Sequence, residues 1–158
     1  MINKTSILIL ENLRSIENTA SIFRTADAFS VSKIILVGTT PTPLDRFRRK
    51  RQDFAKVSLG AEESVSWERI EDKDLEMKIG DLKDQGLKII ALEQTPNSKD
   101  LKSIIKPEQF AVIVGNEVEG VSEKALALSD IVAEIPMMGM KESLNVSVAA
   151  GVALFVLS

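Results

Sequence analysis

The chain has 158 residues, 44% of them hydrophobic and 27% charged, with a net charge of −3. That size and balance suit one globular domain with a substantial core, and any surface that attracts anions has to be a local patch. Cysteine, histidine and tyrosine are all absent, which excludes disulfides, thiolate and imidazole metal sites, Ser-His-Asp chemistry and imidazole general bases.

In chain order, residues 6–10 (SILIL) read as a buried strand. Asn18 is placed to cap a helix over TASIFRTADAFS, with Ile22, Ala26 and Phe29 on one face. Residues 33–38 (KIILVG) form a second strand, ended by glycine, and TTPTPLD is turn-like with its prolines. RFRRKRQDFAKVSLGAEES is basic and poorly periodic, and SVSWERI is a short strand. Residues 72–85 form an amphipathic helix on Leu75, Ile79 and Leu82, closed by Gly86. LKIIALEQ is a strand, TPNSKD a polar loop, FAVIVGNE the most apolar strand, VSEKALALS a short helix and IVAEIPM a further strand. The last helix spans 143–157 and is apolar almost all round, which calls for deep burial or a partner copy.

Strands and helices alternate and the strands are continuously apolar. The pattern predicts one α/β domain over residues 1–158, with a mostly parallel sheet and helices on both faces. The apolar runs fall short of a secretory leader and of the roughly 20 residues of a membrane span, so a cytoplasmic protein with no membrane and no metal partner is expected.

Four stretches carry candidate chemistry. GNEVEG (115–120) lies between a strand and a helix, where open α/β sheets bind ligands. Its carboxylates, Glu117 and Glu119, disfavour a phosphate and suit hydroxyls, an amine or a cationic centre. IPMMGMKESLNVSVAAG (135–151) offers Ser143 as a helix cap and Asn145 in the first turn of a greasy helix, where an interior amide needs partners. In ENTASIFRTADAF, Arg24 reads either as an i,i+3 partner of Asp27 or as a phosphate clamp. Arg46, Arg48, Arg49, Lys50 and Arg51 crowd together beside Phe47 and Phe54. Arginines supply phosphate contacts, and a phenylalanine can stack on a base.

Taken in order, these blocks resemble the SpoU (TrmH-like) family of RNA ribose methyltransferases, members of the trefoil-knotted SPOUT superfamily. ENTASIFRTADAF is similar to the family's first motif, through Asn18 and Arg24. FAVIVGNEVEGVS is similar to the second, through Gly115, Asn116, Glu117 and Gly120. IPMMGMKESLNVSVAAGVALF is similar to the third, through Ile135, Pro136, Ser143, Leu144 and Asn145. KVSLGAEESV also resembles a family segment between the first two. Ala20 stands where many members carry glycine, and Val118 interrupts a loop that is often Gly-rich. The likeness is to the minimal type that has only the catalytic domain.

The resemblance implies a deep C-terminal trefoil knot and a homodimer. It implies S-adenosyl-L-methionine held by loops bearing Leu92, Gly115, Asn116, Glu117, Gly120, Ile135, Met137, Ser143 and Leu144. It also implies methyl transfer to a ribose 2′-hydroxyl of tRNA or rRNA, with Arg24, Asn18, Glu117, Ser143 and Asn145 as the catalytic group. A guanidinium holds its proton too tightly to be an easy base, so Arg24 is expected to orient the ribose and stabilise the developing alkoxide. Ser143 and Asn145 would fix the acceptor or that arginine, and Glu117 would orient the helix-end network or the donor's cationic side. The alternative is a non-catalytic RNA-binding or regulatory module on the same fold.

Overall fold

The computed structural model describes residues 4–158. Its strands are β1 (Ser6–Glu11), β2 (Lys33–Val37), β3 (Trp67–Ile70), β4 (Lys88–Leu92), β5 (Lys99–Asp100), β6 (Phe110–Val114) and β7 (Ile131–Glu134). They form one sheet in the order β3-β2-β1-β6-β4-β7-β5, and every pairing is parallel. The carboxyl ends of all the strands therefore open on one edge.

The helices are α1 (Ile16–Ala28), α2 (Gln52–Ser58), α3 (Ala61–Ser64), α4 (Leu75–Asp84), α5 (Glu123–Leu128) and α6 (Val146–Leu157). Strand residues alternate between two cores. Leu8, Leu10, Ile34, Leu36, Val112 and Val114 face α1, α2, α3 and α6. Ile7, Ile9, Ile35, Val37, Ala111 and Ile113 face α4 and α5. Burial on both faces is why these strands read as unbroken apolar runs, and each fully buried Leu or Ile is worth about 1.5–3 kcal/mol.

The basic segment was poorly periodic because its two helices are short and bury little. Phe54 and Ser58 are the buried residues of α2, and Ala61 that of α3. Phe54 is therefore a core residue: its ring meets Phe23 edge-to-face at 5.2 Å. TPNSKD ends in the two-residue edge strand β5, too short to show a period. Small residues of α6, Ala150 and Ala153, bury against the sheet, and Gly151 lies close to Thr25 of α1. Among the described residues, no helix is long and apolar enough to cross a membrane.

Candidate active site at the carboxyl edge of the sheet

A cleft of about 770 Å³ opens beyond β4, β6 and β7. Leu92, Gly115, Asn116, Glu117, Gly120, Ile135, Met137, Ser143 and Leu144, the residues expected to hold a cofactor, all line it. Asn18 and Asn145 line it as well. Arg24 does not: it is exposed on α1. Its expected partner Asp27 instead accepts a hydrogen bond from Ser64 Oγ at 2.7 Å.

The loop 115–120 is a tight antiparallel closure. Asn116 N donates to Gly120 O at 3.2 Å, and Gly120 N donates to Asn116 O at 2.8 Å. Asn116 is buried, and both ends of its side-chain amide are bonded. Its amide donates to Asn12 O at 2.8 Å, and its oxygen accepts from Val118 N and Glu119 N at 2.7 and 3.0 Å. A side chain at Gly115 would collide with the backbone of Gly120 and Val121. One at Gly120, where φ is +74°, would collide with the Glu93 carboxylate. These two glycines let the loop lie flat against the cleft wall.

Helix starts near the cleft are capped by carboxylates borrowed from distant chain. Ser15, not Asn18, caps α1: its side chain accepts from Asn18 N at 3.0 Å. A carboxylate three residues on commonly completes such a cap by accepting from the cap residue's own N–H. Asn18 occupies that place, and Glu117 does the work across space, accepting from Arg14 N at 3.1 Å and Ser15 N at 3.3 Å. Buried Glu11 does the same for α5, accepting from Ser122 N at 2.8 Å and Ser122 Oγ at 2.6 Å. Glu93 accepts from Val121 N at 2.8 Å.

With its own helix end served by Glu117, the Asn18 side chain is free to bridge. It donates to Glu117 Oε1 at 3.5 Å and accepts from Asn145 Nδ2 at 3.1 Å. Asn145, rather than Ser143, is the cap of α6: its oxygen accepts from Ser147 N at 2.9 Å. The helix accordingly starts at Val146, and Asn145 is exposed at the cleft mouth instead of facing the interior. Ser143 is exposed in the preceding loop. Each of the three sequence blocks thus contributes one member to the chain Glu117–Asn18–Asn145.

Glu93, Thr95, Glu119 and Glu134 also line the cleft, and of these only Glu119 had drawn attention in the sequence. Glu93 and Glu134 sit at strand ends; the signal for them is their place just past an apolar strand in a parallel sheet. The cleft is acidic at its rim and apolar at Leu92, Ile135 and Leu144. That combination suits a cationic ligand with a flat apolar portion.

The basic segment lies elsewhere on the same edge, beyond β2. Most of its charge is already matched. Arg49 Nε pairs with Asp45 at 2.9 Å, Arg51 with Asp53 at 3.2 Å, and Lys50 with Glu63. The Arg49 backbone N–H, helped by its guanidinium, holds the Asp45 carboxyl below its ordinary range. The bond to Glu63 raises Lys50. Arg46 and Arg48 are exposed and make no ion pair among the described residues.

Residues 5–155 match the model of the SpoU rRNA methylase family. The tRNA (guanosine(18)-2'-O)-methyltransferase of Thermus thermophilus is 36% identical over 151 residues, covering 94% of this chain and 71% of that enzyme. The AdoMet-bound rRNA methyltransferase of Sinorhizobium meliloti superposes with a TM-score of 0.82 at 25% identity, over 97% of this chain and 55% of that one. The A. aeolicus TrmH/SpoU tRNA modifying enzyme superposes at 0.82 with 26% identity, over 98% of this chain and 74% of that one. This chain thus spans about half of the Sinorhizobium protein and nearly three quarters of the other two. It belongs to the SpoU rRNA methylase family.

Proposed function

We propose that this chain is a single-domain, S-adenosyl-L-methionine-dependent methyltransferase acting on a ribose 2′-hydroxyl of tRNA or rRNA in the cytoplasm. The observation that carries the reading is the hydrogen-bonded chain Glu117–Asn18–Asn145 at the mouth of the cleft. Glu117 and Asn145 each serve a helix cap, and Asn18, which caps nothing, joins them across three remote segments at the cleft mouth. A purely structural module would need only the caps.

The residues present fit the donor. Leu92, Ile135 and Leu144 offer apolar surface for an adenine, the loop 115–120 brings backbone close, and Glu119 and Glu134 face a cationic group. The bound donor supplies a methyl group on a positively charged sulfur, already activated toward a nucleophile. The protein's own work is then alignment and electrostatics. Ser143 and Asn145 hold the acceptor ribose at the cleft mouth. Asn18 and Glu117 keep Asn145 turned toward it. Arg24 stabilises the developing alkoxide as the hydroxyl proton passes to solvent water, the methyl–oxygen bond forms, and the donor would leave as the neutral thioether.

Arg24 does not line the cleft of its own chain, so it reaches the reaction from a second copy. Two features support a dimer. Val148 and Phe155 are 50 and 74% exposed, seven residues apart on one face of α6, apolar surface in need of cover. Thr25, next to Arg24, lies against Gly151 of that same helix. The trefoil knot of the superfamily is part of the proposal. Its support is the path of the chain, which inserts β7 beyond β4 and then returns across β6 to pack α6 on α1.

The test is incubation with S-adenosylmethionine labelled in the methyl group and with tRNA and rRNA, followed by mass spectrometry of the nucleosides. A 2′-O-methylated nucleoside is expected. Label on a base, or donor binding by calorimetry with no transfer to any RNA, refutes the assignment, the latter in favour of the non-catalytic module.

A further inference from the structure

An exposed aromatic side chain on a well-braced loop lies outside the cleft. Phe47 is 63% exposed, yet its backbone is held. Asp45 accepts from Phe47 N at 2.8 Å and from Arg49 N at 2.9 Å. Leu44 bridges to Lys50, Arg51 N donates to Pro43 O at 3.0 Å, and Arg48 turns the chain at a φ of +62°. The guanidinium carbons of Arg46 and Arg49 lie 4.8 and 5.0 Å from the ring centroid. Both guanidiniums pack against the ring and brace it, so it is presented at little further entropic cost.

The surface is coupled to the cleft. It follows β2, which lies two strands, roughly 10 Å, from β6 in the sheet. Thr39 N donates to Asn12 Oδ1 at 3.0 Å and Leu13 N to Thr40 Oγ1 at 3.0 Å, tying this loop to the turn whose next amides bind Glu117.

Resting on the RNA methyltransferase reading, we infer that Phe47 is a base-stacking residue for an unpaired nucleotide flanking the methylated one. Arg46 and Arg48 contact its phosphates, and Arg49, Lys50 and Arg51 brace the loop. A flat π surface beside two unmatched cations suits single-stranded RNA, whose bases are free to stack, better than a duplex.

The test is anisotropy titration of the whole protein with a labelled unstructured oligo(A) RNA, and with the same strand annealed to oligo(U), over a range of salt. Phe47→Ala is expected to weaken oligo(A) binding about tenfold with the salt slope unchanged, and duplex binding little. Arg46→Gln with Arg48→Gln is expected to flatten the slope by about 1.4. Phe47→Trp should restore affinity, its fluorescence quenched by RNA above the Trp67 background. Unchanged oligo(A) affinity in Phe47→Ala overturns the inference. So does a shift of its oligomeric state in sedimentation, which would make the surface a contact between protein copies. Phe47-dependent RNA binding without methyl transfer sinks the function above and leaves this inference standing. Methyl transfer with Phe47 dispensable does the reverse.

Discussion

The cleft mouth and the basic loop lie on the same edge of the sheet and are both polar, yet they are built in opposite ways. At the cleft, Asn18 reaches Glu117 across 99 positions and Asn145 across 127. In the loop, Asp45 bonds partners two and four positions away. The loop is a local device that holds its shape through neighbouring residues. The cleft network exists only once α1, β6 and α6 are in place, so it reports on the whole fold. Substitutions in the network should therefore couple activity to tertiary structure, while those in the loop should touch RNA affinity alone.

The largest effect expected is on chemistry. Arg24→Ala should lower methyl transfer by about 100-fold or more, the scale for removing one group that stabilises developing charge. Arg24 is exposed and makes no hydrogen bond or ion pair through its side chain among the described residues, so an unchanged melting temperature and unchanged donor affinity by calorimetry are expected. Loss of donor binding together with transfer would make Arg24 a structural residue and remove the asymmetry between the regions.

Next comes Gly120→Ala. A side chain there meets the Glu93 carboxylate from a backbone at φ +74°, so destabilisation of about 1–3 kcal/mol is expected in chemical denaturation. Donor affinity should fall too, because the loop can no longer lie against the cleft wall. A well-folded variant with full donor affinity would show that this close approach is incidental.

Asn145 separates the two duties within the network. Asn145→Ala removes the cap of α6 and should cost about 1 kcal/mol, or about 2–4 °C in Tm. Asn145→Asp keeps an oxygen for Ser147 N but loses the amide that donates to Asn18. Stability should hold while transfer falls. Equal loss of stability in both variants would reduce Asn145 to a cap.

The smallest effect belongs to the loop. Asp45→Ala should weaken RNA binding a few-fold and leave global stability within about 0.5 kcal/mol. The Asp45 carboxyl is depressed in the folded state, first by the Arg49 backbone N–H. Its support is therefore complete above the ordinary carboxylate value of about 3.9 and fades as pH falls through the lower folded value. The amide NMR signals of Phe47 and Arg49 should hold position at neutral pH and shift only in that acid range. Movement near pH 6 would show that another group governs the loop.

Much of this protein was determined by residue order alone. Continuous apolar strands alternating with helical stretches required a parallel sheet covered on both faces. The glycines of 115–120 and the residues after each strand marked the edge where a ligand sits, and the three motif blocks carried the family. Where the caps lie was settled elsewhere. Asn18 and Ser143 looked like helix caps because a nearby serine or asparagine commonly is one. Ser15 holds the first place because Glu117, 102 positions downstream, completes that cap and frees Asn18; Asn145 holds the second because its own oxygen accepts from Ser147 N. Likewise, five crowded cations looked equally available to RNA until folding set acids against Arg49, Lys50 and Arg51. Local pattern fixes which groups a segment can offer. Only the assembled backbone decides which are consumed by unpaired amides and neighbouring charges, and so which remain for a substrate.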